Sequence, residues 1–294
     1  MPFKLDQILR AKEGEITAAK KAMSIGDLKR MAQDAPPLRS FKNALSNGFG
    51  VIAEIKRKSP SMGEMRSENF EQAPTVYARS PIVKAISVIT DEASFGMSLD
   101  HLRKVKAVVS QPILRKDFIQ TEYGVHQARA YGADAILLMG TVLKKRDTSQ
   151  KLFDLATELG MDVLFEVHNE REIEIIPIGA QIIGVNSRNF MGQWRRNAIF
   201  AKTLGKFFKM PDFSTNLAVF SLINQLPNNA IKVAESGISP TSISRVVSLG
   251  YNAALIGTSL LKAKEGVEAA LVEFEQAIKP SGRRTPSFSA PVPA

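Results

Sequence analysis

Short apolar runs alternate with amphipathic segments along most of the chain. The runs are nearly continuous in apolar residues and rich in β-branched side chains, as is typical of strands buried on both faces. Glycines follow several of the amphipathic segments, where helix C-caps belong. The eight runs lie at 51–55, 82–90, 112–118, 135–139, 162–168, 182–188, 232–236 and 253–257.

Eight strand-then-helix units predict an α/β protein that folds as a closed (βα)8 TIM barrel over residues 49–278. An open doubly wound sheet would more often have about five to seven strands, with a glycine fingerprint after the first. The length of the span is also close to the ~250 residues typical of such barrels.

Two segments fall outside the predicted barrel. Residues 1–48 predict an N-terminal helical extension, with Leu5 and Ile8 on the apolar face of one helix and a second short helix from Ser24. Residues 279–294 are rich in Pro and Ser and have little to bury, so we expect a disordered tail.

Composition limits the classes of partner. The chain has 294 residues, 44% of them hydrophobic, and a formal net charge of +10. The excess of basic residues is confined to 1–48, 191–230 and 279–294, and no basic face with interleaved aromatic residues is found. Nucleic acid is therefore not an expected partner, whereas an anionic small molecule is.

Cysteine and histidine usage argues against metal and redox sites. The absence of cysteine excludes disulfides, thiolate zinc sites and cysteine nucleophiles. His101, His126 and His168 are not at metal-ligand spacing, so we expect no metal. No apolar run approaches the roughly 18 residues that span a bilayer, and the N-terminus does not resemble a signal peptide. The sequence predicts a cytoplasmic protein with no membrane partner.

Polar residues stand where the predicted strands end. In barrels of this class, the loops at the carboxyl ends of the strands carry the chemistry. Structural ion pairs are one interpretation, but several lysines and glutamates converging on one barrel mouth favour a site, because buried charges are costly. These strand-end residues are Glu54, Lys56, Lys116, Glu166, Asn186, Arg188 and Glu235.

The seventh and eighth strand ends carry a second signal. Ser236-Gly237 and Gly257-Thr258 place backbone N–H groups beside short hydroxyl side chains. Loops at these two positions form the common phosphate site of such barrels, although two ordinary glycine turns would have the same sequence. We therefore expect an anionic substrate that bears a phosphate.

Six strand-end segments form a specific combination, in order along the chain. They are VIAEIKRKSPS (51–61), ISVITDE (86–92), PILRKDFI (112–119), GADAILLM (132–139), IIGVNSRN (182–189) and VAESGI (233–238). This combination resembles the indole-3-glycerol phosphate synthase family of tryptophan biosynthesis. The resemblance implies conversion of 1-(2-carboxyphenylamino)-1-deoxyribulose 5-phosphate to indole-3-glycerol phosphate, with loss of CO₂ and water and without a cofactor.

The same resemblance implies catalytic roles. Lys116 would be the general acid that protonates the substrate carbonyl, and Glu166 would accept or relay a proton later. Lys56, paired with Glu54, would assist dehydration. Ring closure places negative charge on an oxygen atom, so a nearby cation suits the reaction. A neighbouring lysine and partial desolvation are expected to lower the pKa of such a lysine toward neutrality.

Other positions would bind the substrate. Asn186, which is also assigned to the catalytic residues, and Arg188 would orient the anthranilate carboxylate or the hydroxyls of the substrate. Glu235 would bind polar groups of the substrate. The phosphate would be held by Ser59, Ser236, Gly237, Gly257 and Thr258. The aromatic ring would be flanked by apolar side chains that are otherwise plain core residues, namely Phe95, Phe118, Leu137 and Phe190.

The chain departs from the family pattern in three places, one of which is the segment YARSPIVKAIS before the second strand, which lacks the usual small Gly-Ala run. Met97 stands where the second loop is expected to have Gly, and the connection over residues 190–213 is enlarged. Apolar residues and lysines recur on different helical faces of this insertion. The insertion would pack on the barrel or form a lid, contact a partner or a second copy of this chain, or dock on a membrane. The protein is expected to be a monomer or a homodimer. A helix capped by Ser214 or Thr215 would follow.

Two other functions remain open on the sequence. A related isomerase, such as phosphoribosylanthranilate isomerase, is disfavoured by the absence of cysteine and by the lysines at the first and third strand ends. A non-catalytic phosphate-barrel scaffold is disfavoured because a drifting site would be expected to lose charges that destabilise it.

Overall fold

The computed structural model describes residues 5–188 and 215–279, so Phe190, the insertion over 190–213, Ser214 and the tail from 280 lie outside the described residues. Eight parallel strands close into a barrel, which confirms the predicted fold class. Two further short strands, β2 and β3, form an antiparallel hairpin beside the barrel. The strands are β1 (Gly50–Ile55), β2 (Lys58–Ser59), β3 (Gly63–Glu64), β4 (Val83–Ile89), β5 (Ile113–Lys116), β6 (Ala135–Met139), β7 (Asp162–Val167), β8 (Ile182–Asn186), β9 (Ile231–Glu235) and β10 (Ala253–Ile256).

Helices alternate with the barrel strands and cover the outside of the barrel. In the described parts of the chain, none of them is long and apolar enough to cross a membrane. They are α1 (Leu5–Ala22), α2 (Ile25–Asp34), α3 (Phe41–Leu45), α4 (Ser67–Arg79), α5 (Glu92–Phe95), α6 (Leu99–Val108), α7 (Glu122–Ala130), α8 (Gly140–Leu143), α9 (Arg146–Glu158), α10 (Glu170–Ile173), α11 (Pro240–Ser248), α12 (Thr258–Leu261) and α13 (Val267–Ile278).

The barrel strands alternate between two cores. Ile86 and Ile136 point outward into the layer between strands and helices, whereas Ala85 and Leu137 belong to the cluster that fills the barrel. Period-2 geometry produces this division, since successive side chains of a strand point to opposite faces. The polar side chains at the strand ends therefore lie above a packed apolar interior, at the mouth of the barrel.

The segment after the undescribed insertion differs from the expectation. Residues Leu217–Gln225 form a 3₁₀ helix rather than an α-helix, and its N-cap is Asn216 rather than Ser214 or Thr215. The Asn216 side chain accepts a hydrogen bond from the backbone N–H of Ala218. Thr215 instead pairs with Arg188 in an isolated antiparallel bridge. Thr215 is thus used to fasten this segment to the barrel mouth.

A buried lysine on α1 ties the N-terminal helices to the barrel. Lys12 is 2% exposed, and its Nζ lies 2.9 Å from Asp117 Oδ1 and 3.2 Å from Asp91 Oδ2. Asp117 also pairs with Arg115 at 2.8 Å. Burial opposes the charge of Lys12, but the two aspartates together with Glu15, whose Oε2 lies 2.7 Å from Nζ, outweigh this effect and raise the pKa of Lys12. Since Asp117 directly follows Lys116, α1 helps to fix the strand end that carries this lysine.

We expect Lys12→Met to destabilise the fold. The variant leaves Asp91 and Asp117 buried with one counter-charge fewer, and removing one partner of a buried ion pair costs roughly 3–5 kcal/mol. Chemical denaturation would measure the free energy of unfolding, with Lys21→Met as the matched control because Lys21 is exposed on the same helix. Equal stability of the two variants would contradict this role of Lys12.

Candidate active site at the barrel mouth

The predicted strand-end residues converge on one mouth, where two adjoining cavities meet. Three carboxylates gather here from different strands, Glu54 from β1, Glu166 from β7 and Glu235 from β9. Glu54 lines both cavities, whereas Glu166 and Glu235 contact Lys116 without lining either cavity. All three are buried, with exposures of 0–5%. The residues that line both cavities, and so mark their junction, are Glu54, Lys56, Lys116, Arg188 and Ser236.

Glu54 and Lys56 form a buried ion pair. The Nζ atom of Lys56 donates to Glu54 Oε1 at 2.5 Å. Burial opposes the charge of Glu54, but Lys56 and Lys116 outweigh it and lower the pKa of this carboxyl. Burial, assisted by Arg188 and Lys116, lowers the pKa of Lys56 although Glu54 opposes the change. Lys56 therefore releases a proton more readily than an exposed lysine does.

Lys116 behaves in the opposite way. Its Nζ lies 3.5 Å from Glu166 Oε2 and 3.8 Å from Glu235 Oε2. Burial disfavours its charge, but Glu166, Glu235 and Glu54 together outweigh burial and raise its pKa. The expectation of a pKa lowered toward neutrality is thus wrong for Lys116, because three carboxylates surround it and the sequence did not show their distances. At neutral pH, Lys116 is an ammonium ion.

Glu166 and Glu235 both face Lys116 and have opposite pKa shifts. Burial works against the charge of Glu166, but Lys116 and His168 outweigh it and hold the pKa of Glu166 below its usual range. Burial and the neighbouring Glu166 raise the pKa of Glu235 well above its usual range. Two nearby buried carboxyls cannot both ionise cheaply, and these opposite shifts favour a proton on Glu235 over one on Glu166.

Asn186 and Arg188 share a face, as period-2 geometry predicted, and both line the cavity. The Asn186 side-chain oxygen accepts a hydrogen bond from the Arg188 backbone N–H at 2.9 Å. The Arg188 guanidinium donates to Ser61 Oγ at 2.7 Å. This contact joins the end of β8 to the hairpin that follows β1, and it leaves a cation at the edge of the mouth.

One of the two cavities is rich in hydroxyl and backbone groups. Ser236 and Gly237 adopt φ angles of +69° and +68°, so both are in the left-handed region that favours glycine. A Cβ at Gly257 would lie 2.3 Å from Glu54 Oε1, so a glycine is needed there to seat this carboxylate. Thr258 Oγ1 is buried and has no hydrogen-bond partner within the described residues. The four predicted phosphate-loop residues, together with Ser259, Ser61 and Thr215, thus line one polar cavity.

The other cavity is largely apolar. Phe95, Phe118 and Leu137 line it, whereas Phe190 lies outside the described residues. Ser59 also lines this cavity rather than the polar one, and its Oγ accepts a hydrogen bond from the Met62 N–H. Lining residues that the sequence analysis did not single out are Pro60, Ile89, Asp117 and Met139.

Met97, which stands where the family pattern has Gly, does not adopt the left-handed backbone conformation that would require glycine. Its side chain is 1% exposed and belongs to the outer core. The preceding Gly96 has a φ of +69° and ends α5 in the left-handed region. The glycine requirement of this turn is therefore met one position earlier.

His168 is a site residue that the sequence analysis missed. Its Nε2 lies 3.2 Å from Glu166 Oε1, and its Nδ1 lies 3.2 Å from Glu172 Oε2. Burial disfavours the imidazolium, but Glu166 and Glu172 outweigh burial and raise the pKa of His168 to about 9. A signal was present in the sequence, because His168 stands two residues after Glu166 and so points to the same side of the strand.

The chain matches known proteins over most of its length. Residues 5–192 match the family model described as indole-3-glycerol phosphate synthase. The chain is 38% identical over 279 residues to the indole-3-glycerol phosphate synthase of Bacteroides thetaiotaomicron, covering 94% of this chain and 98% of that protein. It is 35% identical over 284 residues to the protein of the same name from Clostridium acetobutylicum, covering 95% of this chain and 99% of that protein.

A solved structure supports the fold alone. The crystal structure of 3-hexulose-6-phosphate synthase from Salmonella typhimurium aligns with a TM-score of 0.52 over 79% of this chain and 98% of that chain. The identity between the two sequences is 13%. This likeness concerns the barrel architecture and not the chemistry at its mouth.

We expect Glu235→Gln and Glu166→Gln to change stability in opposite directions at neutral pH. The pKa of Glu235 is higher in the folded than in the unfolded chain, so this carboxyl destabilises the fold at pH values above its unfolded-state pKa. The amide of Glu235→Gln has the same shape and does not ionise, so the variant should be more stable. A lowered pKa contributes stability that is lost as pH falls, so Glu166→Gln should destabilise it, each by about 1–3 kcal/mol at pH 7. Unfolding by urea between pH 4 and 8 checks this, and shifts of the same sign would contradict it.

Proposed function

The chain belongs to the indole-3-glycerol phosphate synthase family, and we propose that the residues at its barrel mouth close the indole ring of 1-(2-carboxyphenylamino)-1-deoxyribulose 5-phosphate. The chain is accordingly an enzyme of the carboxy-lyase class. The observation that carries the proposed assignment of residues is the position of Lys116 at the junction between an apolar and a hydroxyl-rich cavity.

The two cavities suit the two ends of this substrate. The aryl ring would lie against Phe95, Phe118 and Leu137 in the apolar cavity. The phosphate would lie in the polar cavity, where the loops after β9 and β10 offer backbone N–H groups and the Thr258 hydroxyl. The ribulose carbonyl would then lie between them, within reach of the cation at the junction.

Lys116 would act first. As the ring carbon that bears the carboxylate attacks the carbonyl carbon, the carbonyl oxygen takes up negative charge. The Lys116 ammonium would donate a proton to this oxygen and produce a hydroxyl group. Its raised pKa keeps it charged at the pH of the reaction, so the stabilising cation is present before the bond forms. Loss of CO₂ then restores the aromatic ring.

Dehydration would use the other groups. Lys56, whose pKa is lowered, would protonate the departing hydroxyl so that it leaves as water. Glu166, whose pKa is also lowered, is an ionised acceptor for the proton that leaves carbon as the new double bond forms. Glu54 would hold Lys56, and Asn186 and Arg188 would hold the substrate's hydroxyl or carboxylate groups.

Turnover of Lys116→Ala tests this proposal. Purified chain would be mixed with the carboxyphenylamino substrate, and indole fluorescence and released CO₂ would be followed together. We expect the wild type to release one CO₂ per indole formed and the variant to lose at least roughly 10²-fold in kcat, the scale for removing an acid catalyst.

Lys104→Ala is the matched control for this assay, because Lys104 is exposed on α6 away from the mouth. Wild-type kcat in Lys116→Ala would contradict the role of Lys116. A folded wild type that binds the substrate without forming indole would instead favour the non-catalytic scaffold.

A further inference from the structure

One buried lysine of α1 lies between two loops of the barrel mouth. The Lys12 Nζ atom is 3.2 Å from Asp91 Oδ2, in the loop after β4, and 2.9 Å from Asp117 Oδ1, in the loop after β5. All three side chains are at most 2% exposed. The other carboxylate in contact with Lys12 is Glu15, which lies on the same helix. Lys12 therefore forms an ion-pair bridge between the two loops.

The first of these loops carries Phe95, whose position depends on Asp91. The Oδ1 atom of Asp91 accepts a hydrogen bond from the Ser94 backbone N–H at 2.8 Å and so caps α5. The backbone carbonyl of Asp91 accepts a hydrogen bond from the Phe95 N–H at 3.1 Å. Because Lys12 contacts the other carboxylate oxygen, it is linked through Asp91 to the short helix that ends in Phe95.

The second loop carries Phe118, which is held by Asp117. The Oδ1 atom of Asp117 accepts a hydrogen bond from the Phe118 backbone N–H at 2.8 Å, and the same oxygen contacts Lys12. The Oδ2 atom accepts hydrogen bonds from Thr90 Oγ1 at 2.7 Å and from Arg115 at 2.8 Å. Asp117 is thus fastened to the barrel on one side and to α1 on the other.

The two aspartates differ in their cations. Asp117 also pairs with Arg115, whereas Lys12 is the one cation within salt-bridge distance of Asp91 among the described residues. Loss of the Lys12 charge would leave two nearby buried carboxylates with Arg115 alone to compensate them. Like charges in a buried site repel each other strongly. The loop after β4 would then move away from the loop after β5.

Both aromatic side chains line the apolar cavity of the mouth, Phe95 from one loop and Phe118 from the other. They are also in contact with the apolar side of α1, because Phe118 and Ile8 belong to one core cluster and Phe95 packs against it. The helix that carries Lys12 therefore adjoins the two walls that its ion pairs hold.

We propose that Lys12 is a positioning residue for substrate binding: by bridging Asp91 and Asp117, it fixes the separation of Phe95 and Phe118, the two aromatic walls of the cavity that receives the aryl group. The inference rests on the proposed function in one respect, namely that the aryl group occupies this cavity. It assigns to the N-terminal helix a part in substrate affinity in addition to its part in stability.

Lys116 has attachments that do not involve this bridge. Its backbone carbonyl accepts a hydrogen bond from the Thr90 N–H at 3.2 Å, and it pairs with Ile89 in the parallel ladder between β4 and β5. A change at Lys12 should therefore affect binding of the aryl group more than proton transfer by Lys116. Loss of binding shared by the ground state and the transition state raises KM and leaves kcat nearly unchanged.

The test compares Lys12→Met with Glu15→Gln. We expect KM for the carboxyphenylamino substrate to rise roughly tenfold in Lys12→Met, with a smaller change in kcat, because binding must then order both aromatic walls. Glu15→Gln is the matched control, since Glu15 contacts Lys12 but is 46% exposed and joins neither loop. It should retain the wild-type KM. Inorganic phosphate should inhibit Lys12→Met with an unchanged inhibition constant, because other loops line the polar cavity.

A double variant separates positioning from stability. Lys12→Met combined with Asp91→Asn removes the buried carboxylate that has lost its cation, so the free energy of unfolding should return toward the wild-type value. The asparagine oxygen can still cap α5, but no ion pair joins the two loops. KM should therefore stay raised in this variant. A KM that recovers together with stability would overturn the proposal, because Lys12 would then act on stability alone.

Amide hydrogen exchange of the free protein distinguishes this proposal from the proposed function, because it needs neither substrate nor turnover. The backbone N–H groups of Ser94 and Phe118 donate to the two bridged aspartates. In Lys12→Met both loops should exchange faster than in the wild type, by a larger factor than the barrel strands do. Unchanged exchange in both loops would overturn the inference, whether or not the chain forms indole. Faster exchange with a wild type that forms no indole would contradict the proposed function alone.

Discussion

The site depends on opposite charges that compensate one another among buried side chains at the barrel mouth. Three carboxylates and Lys56 are buried there beside the partly buried Lys116, and no one of these charges would be tolerable alone. The eight strands supply the constraint, because their carboxyl ends bring residues from distant parts of the chain to one ring. The closed barrel therefore holds these side chains next to one another, although they are far apart in the sequence.

The neighbouring opposite charges also give groups of the same type different pKa values. Lys56 has one close carboxylate, whereas Lys116 has two within 4 Å, and their pKa values are displaced in opposite directions. Glu166 and Glu235 are likewise displaced from each other. Groups of the same type thus acquire different pKa values from their different surroundings. Lys116 is a charged donor, Lys56 releases its proton more readily, and Glu166 is an ionised acceptor.

The sequence predicted the barrel and the convergence of its strand ends because both follow from short-range periodicity. Glu54 and Lys56, two residues apart, share a face in any strand. The sign of the Lys116 shift did not follow, since it depends on distances to carboxylates 50 or more positions away. The role of Lys12 was missed because its ion pair joins residues that are far apart in the sequence. Asn216 was missed as the N-cap because Ser214 and Thr215 beside it are also good capping residues.

The central claim is that the buried mouth stores one proton on its carboxyl pair beside a charged Lys116. Neutron diffraction from deuterium-exchanged crystals near neutral pD observes these positions directly. The account predicts one deuteron on the Glu166–Glu235 pair, nearer Glu235, and three on Lys116 Nζ. Two bare carboxylates beside a neutral Lys116 amine, or a deuteron on each carboxyl, would contradict it.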